Sequence, residues 1–195
     1  MALTLHETVP GHHLQGAYQL ESSLPKFLKN ADYDAYYSVP YHFPFYTSYV
    51  EGWGLYAESL GEDMNVYKTH LDLFGRYGFE IFRACRLVVD TGLHYFKWTR
   101  QQAIQYMVDH NTISLAEIEL EIDRYITWPG QACAYKIGEL KIRELREKAK
   151  AALGDKFDIK EFHSMILTSG PMPLNVLETI INDWITDHRQ TLIGK

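Results

Sequence analysis

Three histidines and a glutamate crowd into eight residues near the start of the chain, His6-Glu7-Thr8-Val9-Pro10-Gly11-His12-His13. Imidazole and carboxylate in such a pattern can hold a zinc ion. The usual helical arrangement is His-Glu-x-x-His, where one turn sets both imidazoles on one face and the glutamate acts on a water nucleophile. The spacing here does not allow that. Four residues after His6 stands Pro10, which has no ligand atom, and the next histidines are His12 and His13. In a straight helix His13 shares a face with His6 but lies about 10 Å further along at roughly 1.5 Å per residue, while His12 points away. Pro10-Gly11 supplies the remedy, since proline removes a helical hydrogen bond and glycine tolerates unusual torsions. The expectation is a kink, a bulge or a helix break at Pro10-Gly11.

A catalytic zinc site commonly keeps three protein ligands and one open position. Glu51 and Glu58 both qualify as the third, because a spacing of seven puts them on one helix face. Glu51 directly precedes Gly52-Trp53-Gly54, whose small residues permit close backbone approach. Whichever glutamate does not ligate can hold a ligand imidazole by its other nitrogen. Glu7 is the candidate general base, taking a proton from water and passing it to the leaving amine. The oxyanion formed in hydrolysis needs a donor, and Tyr135, His94 and Arg86 are the candidates. Tyr135 follows Gly130-Gln131 at a turn entering a helix, and His94 is expected to follow a Thr91-Gly92 turn facing a cleft.

These segments resemble a known group. The gluzincin zinc peptidases carry a His-Glu helix and a second histidine, and the dipeptidyl peptidase III family lengthens that spacing by one residue. This chain looks like a further extension, with Gly11-His12. The string from His6 to Gln15, together with Glu51-Gly-Trp-Gly-Leu-Tyr-Ala-Glu58, resembles the bacterial family called domain of unknown function 885. Further matches are Asp90-Thr-Gly-Leu-His94, Trp98-Thr-Arg-Gln-Gln-Ala103 and Trp128-Pro-Gly-Gln-Ala-Cys-Ala-Tyr-Lys-Ile-Gly138. The resemblance runs over nearly the whole chain. It implies a zinc peptidase relative with Zn2+ bound by His6, His12 and Glu51, and it favours His12 over His13. It also implies a long N-terminal region before the motif, so that residues 1–195 are read as one helical catalytic region, the C-terminal part of a longer architecture.

The elements that must position these residues read as helices. Thr99-x-x-Gln102 and Ser114-x-x-Glu117 are capping boxes, and Asp158-x-x-Glu161 is another helix start. Helical spacing runs over Gln131–Leu153 with Gly154 as a stop, over Gly52–Leu60 and Tyr67–Val89, and from Pro173 through Trp184. No series of alternating strands is evident. The fold class is therefore mainly α, a helical gluzincin-like catalytic half. Tyr33 to Tyr49 departs from this, an aromatic run broken by Pro40 and Pro44 that serves either as a packed connection or as a cleft lining. The mixed charges from Lys136 to Lys148 read mainly as a solvated face, and His42, His70, His110, His163 and His188 fall outside any motif.

Composition bounds the rest. With 195 residues, 46% hydrophobic and 23% charged, the chain can bury a core. A net charge of −6 argues against a nucleic-acid partner. No apolar run reaches the roughly 18 residues that span a bilayer. Cys85 and Cys133 are the only cysteines, too few for a disulfide framework. Met1 to Leu5 carries no signal-peptide features, so a native start there would imply a cytoplasmic protein. The expected function is a zinc-dependent metallopeptidase acting on a peptide or other amide. The rival readings are a non-catalytic zinc-binding or metal-free helical module, and a metal-dependent hydrolase of a non-peptide amide or ester. A homo-oligomer or a further N-terminal segment is expected to cover apolar surface left by this half.

Overall fold

The computed structural model describes residues 1–29 and 46–193, and these are helical with no strand among them. The aromatic run from Tyr33 lies almost wholly outside the described residues; Tyr46 and Tyr49 alone fall within them. The first helices are short: α1 Ala2–Glu7, α2 His12–Glu21 and α3 Lys26–Lys29. Then come α4 Thr47–Asp63, α5 His70–His94, α6 Arg100–His110 and α7 Leu115–Thr127. A 3₁₀ turn, Gln131–Cys133, leads into α8 Ala134–Leu153, followed by α9 Ile159–Ser169 and α10 Leu174–Ile193.

Local chemistry explains most of these boundaries. Reciprocal capping boxes open α6 at Thr99/Gln102 and α7 at Ser114/Glu117. Asp158 caps α9 through the backbone N–H of Lys160 rather than by a box with Glu161. A third box, Thr69/Asp72, opens α5 and sets its start at His70, later than the Tyr67 that periodicity suggested. Gly154 ends α8 with φ 54°, where a side chain would be strained. The helix expected from Gln131 starts instead with a 3₁₀ turn, because Gly130 enters it at φ 80°.

Helix α4 is the axis of the molecule. It packs lengthwise on α8, and the crossing is very close. A Cβ on Gly138 would fall 1.8 Å from the Ser48 carbonyl oxygen, and one on Gly52 would fall 2.5 Å from Gly138 Cα. On one side of the pair lies the larger core, where Tyr49, Trp53 and Tyr56 meet Ile142, Leu145, Phe162, Ile166, Leu177 and Ile181. A second core joins α5, α6 and α7 through Val89, Ile104, Met107, Ile118, Ile122 and Tyr125. Ala2 and Leu5 seat α1 against Tyr67.

Candidate metal centre

Pro10-Gly11 breaks the helix, as its residue types predict. α1 ends at Glu7, and α2 begins afresh at His12. The Trp53 indole donates to the Pro10 carbonyl at 2.9 Å and ties the connection to α4. Gly11 approaches so closely that a Cβ would lie 1.9 Å from the His6 carbonyl oxygen. His6, near the end of α1, and His12, opening α2, thus turn toward each other. Their ring centroids are 4.7 Å apart and the rings stand nearly perpendicular.

Glu51 of α4 completes the group. Its Oε2 lies 3.3 Å from His6 Nε2 and 3.2 Å from His12 Nε2. One ligand atom from each of the three residues lies within 4.8 Å of the others. Gly54, one turn on, leaves room for the rings, since a Cβ there would sit 2.7 Å from His6 Nε2. Both imidazoles are also gripped at Nδ1. His6 Nδ1 donates to Glu58 Oε1 at 2.8 Å, and His12 Nδ1 to Gln15 Oε1 at 3.2 Å. These bonds leave each Nε2 to face Glu51.

Charge follows geometry. Burial alone would lower the pKa of His6, but its bonds to Glu51 and Glu58 outweigh that and raise it. Burial would raise Glu51, but the two histidines hold it well below the usual carboxylate range. Behind them, Glu58 is 1% exposed and pairs with Arg83 at 3.2 Å. Tyr67 donates to the Glu58 backbone carbonyl at 2.7 Å.

The remaining candidates separate. The Tyr135 ring lies along His6, with centroids 6.4 Å apart and planes 27° from parallel. Its hydroxyl accepts from Arg124 at 3.2 Å and from Gln131 at 3.4 Å. Arg86 lies over the same ring, 4.7 Å from its centre, and is otherwise bound to Tyr125 and Glu121. Glu7 is exposed and makes no hydrogen bond or ion pair with a described residue, and His13 is exposed. His94 stands apart from the cluster. It does not follow a turn, because α5 continues through Thr91-Gly92 to His94 itself. Gly92 serves packing instead, receiving the Trp98 ring, which a Cβ would meet at 2.5 Å. The His94 ring donates to the Tyr125 carbonyl at 2.8 Å and so caps the end of α7. Sequence reasoning gave no role to Gln15 or Arg83. Gln15 had a signal, its i+3 spacing from His12; Arg83 had none, being placed only by the packing of α5 on α4.

With this geometry in hand, known proteins give the lineage. The model of the family described as "Bacterial protein of unknown function (DUF885)" matches residues 1–181. The chain belongs to this family. A proposed lipoprotein from Colwellia psychrerythraea, solved by crystallography, is similar at 44% identity with a TM-score of 0.85, over 95% of this chain and 30% of that one. A proposed lipoprotein of unknown function from Shewanella oneidensis is similar at 26% identity and a TM-score of 0.77, over 92% of this chain and 31% of that one. The chain therefore spans about a third of the length of these solved relatives. Among curated proteins, none matches it.

Proposed function

We propose that the protein is a zinc-dependent hydrolase of the gluzincin kind, a metallopeptidase acting on a peptide or other amide. The observation that carries this reading is the convergence of His6, His12 and Glu51, each imidazole anchored at Nδ1 and presenting Nε2 to one carboxylate oxygen. The donor set fits zinc, which favours two nitrogens and a carboxylate oxygen with one position left open. The spacing fits as well. Ligands about 2.0–2.1 Å from a tetrahedral ion stand about 3.3 Å apart, and the two nitrogen–oxygen separations are 3.3 and 3.2 Å. Bound zinc would supply Lewis-acid polarisation and a water of lowered pKa.

The chain's own residues divide the other tasks. Glu58 and Gln15 orient the imidazoles, as partners of metal ligands commonly do. Glu7, next to His6, takes a proton from the attacking water and gives it to the leaving nitrogen. Tyr135 is the oxyanion donor: its hydroxyl oxygen already accepts from Arg124 and Gln131, so its own proton is free for a substrate oxygen. His94 has no part, its ring being committed to α7.

The test pairs metal content with turnover. Wild-type chain should carry about one zinc, the complement of a mononuclear catalytic site. Glu7→Gln should keep that zinc and lose hydrolysis of a peptide library by roughly 10²–10⁴-fold. Unchanged turnover in Glu7→Gln refutes the base, and a wild-type protein that does not bind zinc refutes the centre.

A further inference from the structure

We infer that Arg83 is a positioning residue for the metal centre, holding the His6 imidazole in its ligating orientation through the carboxylate of Glu58. The inference rests on the zinc reading above and extends it to a residue on a different helix. Glu58 Oε1 accepts His6 Nδ1 at 2.8 Å and is ion-paired with Arg83 Nη2 at 3.2 Å. The other oxygen, Oε2, is buried and without a partner among the described residues. The carboxylate is thus fixed by two contacts on one atom, and without Arg83 only the imidazole it is meant to orient would remain.

Arg83 is itself held firmly. Its Nη1 donates to the Phe79 carbonyl at 3.0 Å, and its guanidinium lies 4.8 Å from the Phe79 ring centre and 5.8 Å from that of Phe82. Both charged partners are almost fully buried, Arg83 at 5% exposure and Glu58 at 1%. In such surroundings an unpaired carboxylate is costly, so removing the guanidinium drives Glu58 to turn toward water or another donor. His6 would then lose its Nδ1 acceptor, and the direction of Nε2 would no longer be set.

Zinc titration of the full chain with a competing chromophoric chelator tests this, with the cobalt-substituted absorption spectrum as a second readout. Arg83→Met should weaken zinc binding by roughly 10–100-fold, the usual loss for partners of metal ligands, and should change the cobalt bands. Glu58→Gln should do the same, and the double variant should be no weaker than the worse single one, because both act through one contact. A folded Arg83→Met protein with wild-type zinc affinity, or losses that simply add, overturns the proposal, since an arginine supporting only the fold would behave that way. If Arg83→Met does not fold, Arg83→Lys decides. A lysine keeps the charge but lacks the planar fork, so weaker zinc binding is expected and wild-type affinity is the contrary result. Wild-type protein that fails to bind zinc removes the metal reading itself, and this is seen before any variant is made.

Discussion

His6 and His12 each turn Nε2 to the same Glu51 oxygen, which separates them from the other histidines among the described residues. The sequence left the choice between His12 and His13 to family resemblance, because ring directions after a helix break do not follow from spacing. His12 now faces Glu51, and His13 faces solvent. His163 illustrates the opposite case, a half-buried histidine in no motif. It accepts the Tyr56 hydroxyl at 2.8 Å and lies edge-on to Trp53, with centroids 5.4 Å apart. Burial first, then the nearby Arg146 charge, lowers its pKa from 6.5 to about 4. Its folded value lies below its unfolded one, so the neutral ring stabilises the fold fully above pH 6.5, and that contribution is lost as pH falls toward about 4. Urea unfolding across this range should show stability falling with acid, and a non-titrating His163→Gln variant should show a shallower fall. An identical slope in the two proteins would contradict the assignment.

At the level of elements, the helices whose caps are local chemistry were legible: Thr99/Gln102 and Ser114/Glu117 form the boxes their spacing predicts. The break at Pro10-Gly11 was legible for the same reason, since proline and glycine act on the backbone directly. Contacts between helices were not. Gly92 read as a turn although it accommodates Trp98, and the helical spacing over Gln131–Leu153 gave no sign that Gly138 admits α4 to α8 at contact distance. That crossing sets where Glu51 and Glu58 stand relative to the rest of the molecule. Gly138→Ala would put a Cβ 1.8 Å from the Ser48 carbonyl oxygen, inside backbone that has no room to move. A loss of about 1–3 kcal/mol or more is expected from such overpacking, read as a lower urea midpoint and, if α4 shifts, as weaker zinc binding. Wild-type stability in this variant would show that the helices do not cross there.

On the scale of the whole molecule, α5 presents two unlike faces. Arg76, Arg83, Cys85, Arg86 and Val89 are buried, whereas Leu71, Phe74, Ile81 and Val88 recur along the exposed side, Leu71 at 81%. A stripe of this kind is typical of surface that another polypeptide covers, and the solved relatives carry about twice as much further chain as the part matched here. No helix among the described residues is long and apolar enough to cross a membrane. Left to itself this chain is expected to self-associate through the stripe. Sedimentation velocity should show concentration-dependent assembly that Phe74→Glu with Ile81→Glu abolishes; a wild-type monomer at all concentrations would contradict it. The proposed metal centre does not depend on that outcome, and one measurement reaches it directly: a crystal structure of zinc-loaded protein, with anomalous scattering recorded at the zinc edge. The expected result is a single peak about 2.0–2.2 Å from His6 Nε2, His12 Nε2 and a Glu51 oxygen, with Glu58 and Gln15 still on the Nδ1 atoms. A peak elsewhere, ligation by His13 in place of His12, or no peak between these residues would contradict it.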